Sequence, residues 1–82
     1  MFIQSNMTKL TKDISIGEGE TLDALSSIIG VEQDDKKIFN SALKSNYSNI
    51  FSSSNVNSND VTLSIKNVLE KNASLAKYSA VI

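Results

Sequence analysis

Apolar residues recur every three or four positions along most of this chain, and no segment alternates with a period of two for long. Spacings of three and four put side chains on one face of a helix, whereas a strand requires alternation. Two such series are clear before residue 30: Ile3, Met7, Leu10 and Ile14, then Leu22, Leu25, Ile28 and Ile29. The pattern predicts an all-α fold, a small orthogonal bundle of four or five short helices.

The densest apolar series predicts a four-turn helix over residues 38–51. Its apolar face would contain two phenylalanines and a tyrosine, in the series Ile38, Phe39, Ala42, Leu43, Tyr47, Ile50 and Phe51. Because aromatic side chains bury the largest areas, this helix should supply the centre of the core. Phe39 and Phe51 are therefore both expected to be buried.

A segment rich in serine and asparagine, residues 52–59, has one apolar residue in eight and is predicted to be a loop. Asn57 or Ser58 can cap the helix that follows, whose predicted buried face is Val61, Ile65, Val68 and Leu69. Asn72 is expected to end that helix in a left-handed conformation, before a last turn that carries Leu75 and Tyr78. A length of 82 residues predicts a single domain over residues 1–82.

The composition argues against several classes of function. The chain has no cysteine, histidine or arginine, and its net charge is −1. Disulfides, thiolate zinc sites and cysteine nucleophiles are therefore excluded, and the commonest general base is missing. Eight scattered lysines without arginine argue against nucleic-acid binding. We expect no membrane span, no catalytic residue and no cofactor.

The most distinctive stretch is Gly17-Glu18-Gly19-Glu20, followed by Asp23. Two glycines can turn the chain, and carboxylates favour a helix start by about 0.3–1 kcal/mol each. Alternatively, Glu18, Glu20 and Asp23 could contribute oxygen ligands to a hard cation such as Ca²⁺. We favour a helix-start or interaction motif without a specific metal, because three carboxylates supply at most half of the ligands that such an ion requires.

Several short motifs follow one another in a specific order: Gly17-Glu18-Gly19-Glu20-x-Leu22-x-x-Leu25, Ile29-Gly30-Val31, Phe39, Asn46-Tyr47-x-x-Ile50-Phe51 and Ala73-x-Leu75-Ala76-Lys77-Tyr78. In this order they resemble the C-terminal half of a family of short, uncharacterised, exported proteobacterial proteins, over residues 2–79. The chain departs from the family pattern at Glu32 and Ser52, where members often have proline. The resemblance implies a signal peptide, a cysteine-containing N-terminal segment, and a location in the periplasm or cell envelope. It implies no activity and no site residues.

These observations favour a non-catalytic exported domain that acts by protein–protein interaction or by self-association, so an unknown protein partner or a homo-oligomer is expected. One alternative is a small-molecule or metal-binding periplasmic module centred on Glu18, Glu20 and Asp23. A second alternative, an enzyme based on carboxylates, requires a substrate cleft and a carboxyl group with a raised pKa, for which a domain of this size rarely has room.

Overall fold

Six α-helices and two 3₁₀ turns make up the secondary structure of residues 2–82, the part of the chain that the computed structural model describes. The helices are α1 (Phe2–Ser5), α2 (Met7–Ile16), α3 (Glu20–Ile29), α4 (Lys36–Ser45), α5 (Tyr47–Ile50) and α6 (Ser58–Lys71). The 3₁₀ turns are Gln33–Asp35 and Ala76–Tyr78. No strand occurs among these residues, so the all-α prediction is confirmed. Over the same range, every helix is too short or too polar to cross a membrane.

Two asparagines interrupt helices that the apolar pattern predicted to be continuous. The side-chain amide of Asn6 donates to the Phe2 carbonyl at 2.9 Å, and that of Asn46 donates to the Ala42 carbonyl at 2.8 Å. An asparagine that bonds to the carbonyl four residues earlier competes with the backbone ladder. The predicted helix over residues 38–51 is therefore wrong in its extent, because α4 ends at Ser45 and α5 begins at Tyr47. The longest helix is α6, with 14 residues.

The core contains apolar side chains from every helix, and it largely follows the predicted faces. Its buried members are Ile3, Leu10, Ile14, Leu22, Leu25, Ile29, Val31, Phe39, Leu43, Ile50, Val61, Ile65, Leu69, Leu75 and Tyr78. Met7, Tyr47 and Val68 are partly buried against it. Two predicted core residues are instead exposed, Ile28 by 59% and Ile38 by 40%. Each directly precedes a buried residue in its helix, about 100° away around the helix axis, and so lies outside the narrow buried face.

The two phenylalanines predicted to be buried together have different environments. Phe39 has no exposed surface, whereas Phe51 is only partly buried and packs against the edge of the core. The rings of Tyr47 and Phe51 contact each other with centroids 5.0 Å apart. The predicted burial is therefore confirmed for Phe39 but holds only in part for Phe51, which lies beyond the break at Asn46.

The ends of α6 confirm one predicted cap and correct another. Asn57 Oδ1 accepts from the Asp60 N–H at 2.9 Å, and Asp60 Oδ2 accepts from the Asn57 N–H at 3.2 Å, which forms a capping box. Because Ser58 already belongs to α6, the irregular segment is 51–57 rather than 52–59. Asn72 is extended (φ −106°) instead of left-handed, and its Oδ1 accepts from the Ser74 N–H at 3.0 Å.

Candidate functional site

The Gly-Glu-Gly-Glu motif forms the connection from α2 to α3. Gly17 ends α2 in a left-handed conformation, and its N–H donates to the Asp13 carbonyl at 2.7 Å. Glu18 lies in the connection, whereas Glu20 and Asp23 lie in the first turn of α3. The two glutamates and Asp23 are exposed. The motif therefore turns the chain and opens α3, as one of the two sequence interpretations predicted.

The side chain that caps α3 is Asp13, which the sequence analysis missed. Its Oδ2 accepts from the Thr21 N–H at 2.9 Å and from the Leu22 N–H at 3.1 Å. Gly19 has a φ of 146°, and a Cβ atom there would collide with the Asp13 carboxylate. Gly19 therefore allows a carboxylate from α2 to reach the N–H groups of α3 that lack partners within the helix.

The cap predicts a ranking of carboxylate substitutions in this turn. Asp13→Ala should lower the free energy of unfolding by about 0.5–2 kcal/mol, the usual effect of losing an N-cap acceptor. Glu20→Gln should lower it by only about 0.3–1 kcal/mol, because Glu20 acts through the helix dipole. Urea unfolding of the two variants measures both values. A loss for Glu20→Gln as large as that for Asp13→Ala would contradict the assignment of Asp13 as the cap.

Helix α4 packs beside the glycine motif and forms a depression with it. A Cβ atom at Gly17 would lie 2.9 Å from Lys44 Cδ, so the Lys44 stem crosses directly over this glycine. The depression has a volume of about 490 Å³. Residues from the two chain segments line it, namely Ile16, Gly17, Glu18, Gln33, Lys36, Lys37, Asn40, Ser41 and Lys44. We call it the α4 depression.

The α4 depression carries an excess of positive charge. Lys36, Lys37 and Lys44 line it, and the only carboxylate among its lining residues is that of Glu18. Helix α4 itself contains no acidic residue. Within residues 2–82, ion pairs at up to 4 Å link only Lys77 with Glu32 and Asp35. The three ammonium groups of α4 therefore have no carboxylate partner in this part of the chain.

The side-chain oxygen of Asn40, a residue that lines the same depression, has no hydrogen-bond partner. Its Oδ1 is the only buried side-chain nitrogen or oxygen atom in residues 2–82 that has no hydrogen-bond partner. An unpaired buried acceptor costs about 1–3 kcal/mol of folding free energy. Asn40 and the unpaired lysines therefore line the same depression.

A second, shallower depression adjoins the first and adds an apolar side chain. Lys37 and Ser41 line both, and Ile38 lines only the second. Ile38 is 40% exposed and Ile16 is 51% exposed. Together, Ile16, Lys36, Lys37, Ile38, Asn40 and Lys44 form what we call the α4 surface. Ile38 had been predicted to lie in the core, and the apolar pattern gave no sign that these residues lie beside Gly17 and Glu18.

The closing Leu-Ala-Lys-Tyr motif forms a hydrogen-bonded clasp on another part of the molecule. The buried Tyr78 hydroxyl donates to Asp35 Oδ2 at 2.6 Å and accepts from the Glu32 N–H at 3.1 Å. Lys77 Nζ lies 3.2 Å from Glu32 Oε2 and 3.3 Å from Asp35 Oδ2. Because these groups already have partners within the chain, we assign the clasp to stability. It fixes the chain's last 3₁₀ turn to the segment before α4.

The clasp predicts a specific acid sensitivity. The hydrogen bond from Tyr78 lowers the pKa of Asp35 below its ordinary value of 3.8, and Lys77 adds to this effect, against an opposing contribution from burial. A lowered folded-state pKa gives stability that is complete above the ordinary value and is lost as the pH falls through the folded value. Tyr78→Phe should therefore lose less stability than the parent on acidification from about pH 5 to pH 2. Urea unfolding at each pH tests this, and parallel curves for the two proteins would contradict it.

The structure does not gather the predicted carboxylates into a metal site. Within residues 2–82, no three histidine, cysteine, aspartate or glutamate side chains lie close enough together to hold an ion. Glu18 lines the α4 depression, whereas Glu20 lines a separate hollow with Lys9, Lys12, Asp13 and Thr21. The three acids Glu18, Glu20 and Asp23 therefore do not form one cluster.

An asparagine-lined groove lies between α4, α5 and α6. Its polar lining includes Asn46, Asn49, Asn67 and Asn72. Three of these side chains already have partners within the chain, since Asn46 Oδ1 accepts from Asn49 Nδ2 and Asn72 Oδ1 accepts from the Ser74 N–H. This groove therefore presents fewer unpaired groups than the α4 depression, which is the stronger candidate site.

Comparison with known proteins yields one match. A family model described as "Protein of unknown function (DUF3015)" matches residues 1–79. The matched range includes the Gly-Glu-Gly-Glu motif, α4 and the Tyr78 clasp, and it agrees with the resemblance to an uncharacterised family. No curated protein and no solved structure matches the chain.

Proposed function

Since the chain belongs to the DUF3015 family of proteins of unknown function, we propose that it is a non-catalytic domain that binds another protein through its α4 surface. The observation that carries this proposal is the combination of exposed apolar and unpaired charged groups in two adjoining depressions along α4. Ile16 and Ile38 are 51% and 40% exposed, and the lysines of α4 have no ion-pair partner within residues 2–82. Apolar side chains grouped with polar ones are typical of protein-binding surfaces.

The absence of histidine and cysteine from the sequence supports a non-catalytic role. A serine nucleophile would depend on a desolvated lysine as its base. The lysines of the α4 surface do not provide one, since Lys37 and Lys44 are exposed and Lys36 is half-exposed. Binding of a partner requires only that these side chains be accessible at the surface.

We propose further that the protein is bacterial and exported, and that it works in the periplasm or cell envelope. The support is the resemblance of its ordered motifs to exported proteobacterial proteins, as given above. A fusion of the native precursor to a reporter that is active only outside the cytoplasm tests this location. Reporter activity would support export, whereas an inactive but stable fusion would contradict it.

Photo-crosslinking in the native cells tests the binding function. A photoreactive amino acid is introduced in place of Ile16, Ile38 or, as a control, Leu63. Leu63 is 60% exposed on α6 and lines no part of the α4 surface. We expect one discrete adduct from positions 16 and 38 and none from position 63.

Three outcomes would overturn the proposal. They are the absence of any adduct from positions 16 and 38, an equal yield from position 63, and an adduct with the mass of two copies of the chain. The last result would assign the α4 surface to self-association instead of a different protein.

A further inference from the structure

We propose that the α4 depression binds an acidic, extended peptide segment of the partner protein, with backbone N–H groups of that segment donating to Asn40. This inference rests on the proposed function and adds the chemistry of the partner. It follows from three independent features of the depression: the position of its lysines along the helix, the unpaired Asn40 oxygen, and the exposed side chain of Ile16.

The lysines lie where the helix itself disfavours them. Lys36 and Lys37 are the first two residues of α4 and directly follow Asp34 and Asp35, which lie in the preceding 3₁₀ turn. The positive end of the helix dipole lies there, so it favours carboxylates and repels ammonium groups. A residue whose charge destabilises its own helix is expected at a position where function requires that charge. A bound carboxylate would be attracted by both the lysines and the helix terminus.

Asn40 supplies the complementary acceptor. Its Oδ1 is buried without a partner, and the side chain lines the depression. Because the terminal torsion of asparagine is soft, rotation of the amide on binding can bring this oxygen to a donor in the depression. A free carboxylate or phosphate ion has no N–H group to donate, whereas each residue of an extended peptide other than proline has one. The Asn40 oxygen therefore favours a peptide over a simple anion.

Ile16 and Glu18 complete the match to a peptide. Ile16 lines the same depression with half of its surface exposed, so an apolar side chain of the segment can pack on it. Glu18 adds a second acceptor for backbone N–H groups at the edge. The lining of the depression thus includes three cationic donors, the acceptors of Asn40 and Glu18, and one exposed apolar side chain. An acidic segment with a single apolar residue uses all of them.

The test is a titration of the chain followed by amide resonances. The probe is an acetylated and amidated five-residue peptide of glutamate and aspartate with one central leucine. The control peptide replaces each acid by its amide. We expect saturable shifts confined to residues 16–18 and 33–44 with the acidic peptide, weakening as salt is added. The control peptide should give none.

Two matched double variants distinguish the loss of lysines in the α4 depression from a general loss of positive charge. Lys36→Gln combined with Lys44→Gln should weaken binding about tenfold, because two charge-assisted contacts are lost. Lys66→Gln combined with Lys71→Gln removes the same charge from α6 and should change the affinity by less than about twofold. Equal losses in the two double variants would overturn the proposal.

Asn40→Ala tests whether Asn40 acts in binding or only in folding, because the two roles predict different changes in affinity and melting temperature. Because Oδ1 is unpaired in the free chain, the variant should melt at or above the parent temperature while binding the acidic peptide about threefold to tenfold more weakly. A lower melting temperature with unchanged affinity would overturn the role of Asn40.

Two further probes test the class of partner. The chain is titrated with inorganic phosphate and with vesicles of an anionic lipid. If either probe causes the same saturable shifts as the peptide, the proposal of a peptide-specific site is overturned. Failure of the acidic peptide alongside discrete adducts at positions 16 and 38 would refute the acidic-segment chemistry but leave protein binding intact. Peptide binding without adducts in cells would instead refute the proposed function.

Discussion

Replacing Phe39 by alanine is expected to remove most of the stability of this chain. Phe39 has no exposed surface and lies at the centre of the core. Truncating a buried phenylalanine costs about 3–5 kcal/mol, whereas a chain of this length has a total stability of roughly 4–12 kcal/mol. Urea unfolding followed by the helical circular dichroism signal measures the loss.

Phe51→Ala is the matched control for this effect. Phe51 is only partly buried and contacts Tyr47 at the edge of the core. Since full burial of such a side chain contributes about 1.5–3 kcal/mol, its truncation should cost about 1–2 kcal/mol. Equal losses for the two phenylalanines would show that Phe51 packs more deeply than the structure indicates.

Gly19→Ala is expected to cause the second large loss of stability. A φ of 146° lies in a region that side chains other than glycine rarely adopt, at a cost of about 1–3 kcal/mol. The added Cβ would also displace the Asp13 carboxylate and remove the α3 cap, which adds about 0.5–2 kcal/mol. The free energy of unfolding should therefore fall by about 1.5–5 kcal/mol in total.

A control glycine and a double variant separate these two contributions. Gly30 also has a positive φ, of 87°, but a Cβ atom there would contact nothing within 4 Å. Gly30→Ala should therefore cost only about 1–2 kcal/mol. In an Asp13→Ala background, Gly19→Ala should cost less than in the parent, because no carboxylate remains to be displaced. Strict additivity of the two substitutions would contradict the cap geometry.

Local patterns were enough to predict much of the fold. The spacing of Leu22, Leu25 and Ile29 placed the buried face of α3, which ends at Gly30, where the Val31 N–H donates to the Ser26 carbonyl at 2.9 Å. Asn57 likewise identified the start of α6. In each case the interacting residues lie within a few positions of one another, so the sequence contains the whole interaction.

The features that were missed depend on rotamers or on contacts between distant segments. The breaks at Asn6 and Asn46 follow from which acceptor each side chain chooses, and this choice does not alter the apolar period. The Asp13 cap requires α2 and α3 to pack together. The Tyr78–Asp35 hydrogen bond spans 43 residues.

The candidate site was the least predictable part of the molecule. The sequence showed three lysines in one segment and a glycine motif elsewhere, but only the packing of Lys44 over Gly17 brings them together. The unpaired Asn40 oxygen is a property of the folded environment and leaves no trace in composition or spacing. Ile38 also matched a core position by period, and only its exposure of 40% connects it with the surface.

The most direct test of the α4 surface as a binding site measures stability and crosslinking in the same variants. Lys37→Glu combined with Ile38→Ser alters two exposed residues of the surface, and Lys66→Glu combined with Leu63→Ser makes the same changes on α6. The photoreactive amino acid at position 16 reports on the partner in both. Each surface substitution changes stability by about 0.5 kcal/mol or less, so the two double variants should melt within about 8 °C of the parent. Binding through the α4 surface predicts that the adduct disappears in the first variant and persists in the second, whereas an undiminished adduct in a fully folded Lys37→Glu, Ile38→Ser variant would contradict it.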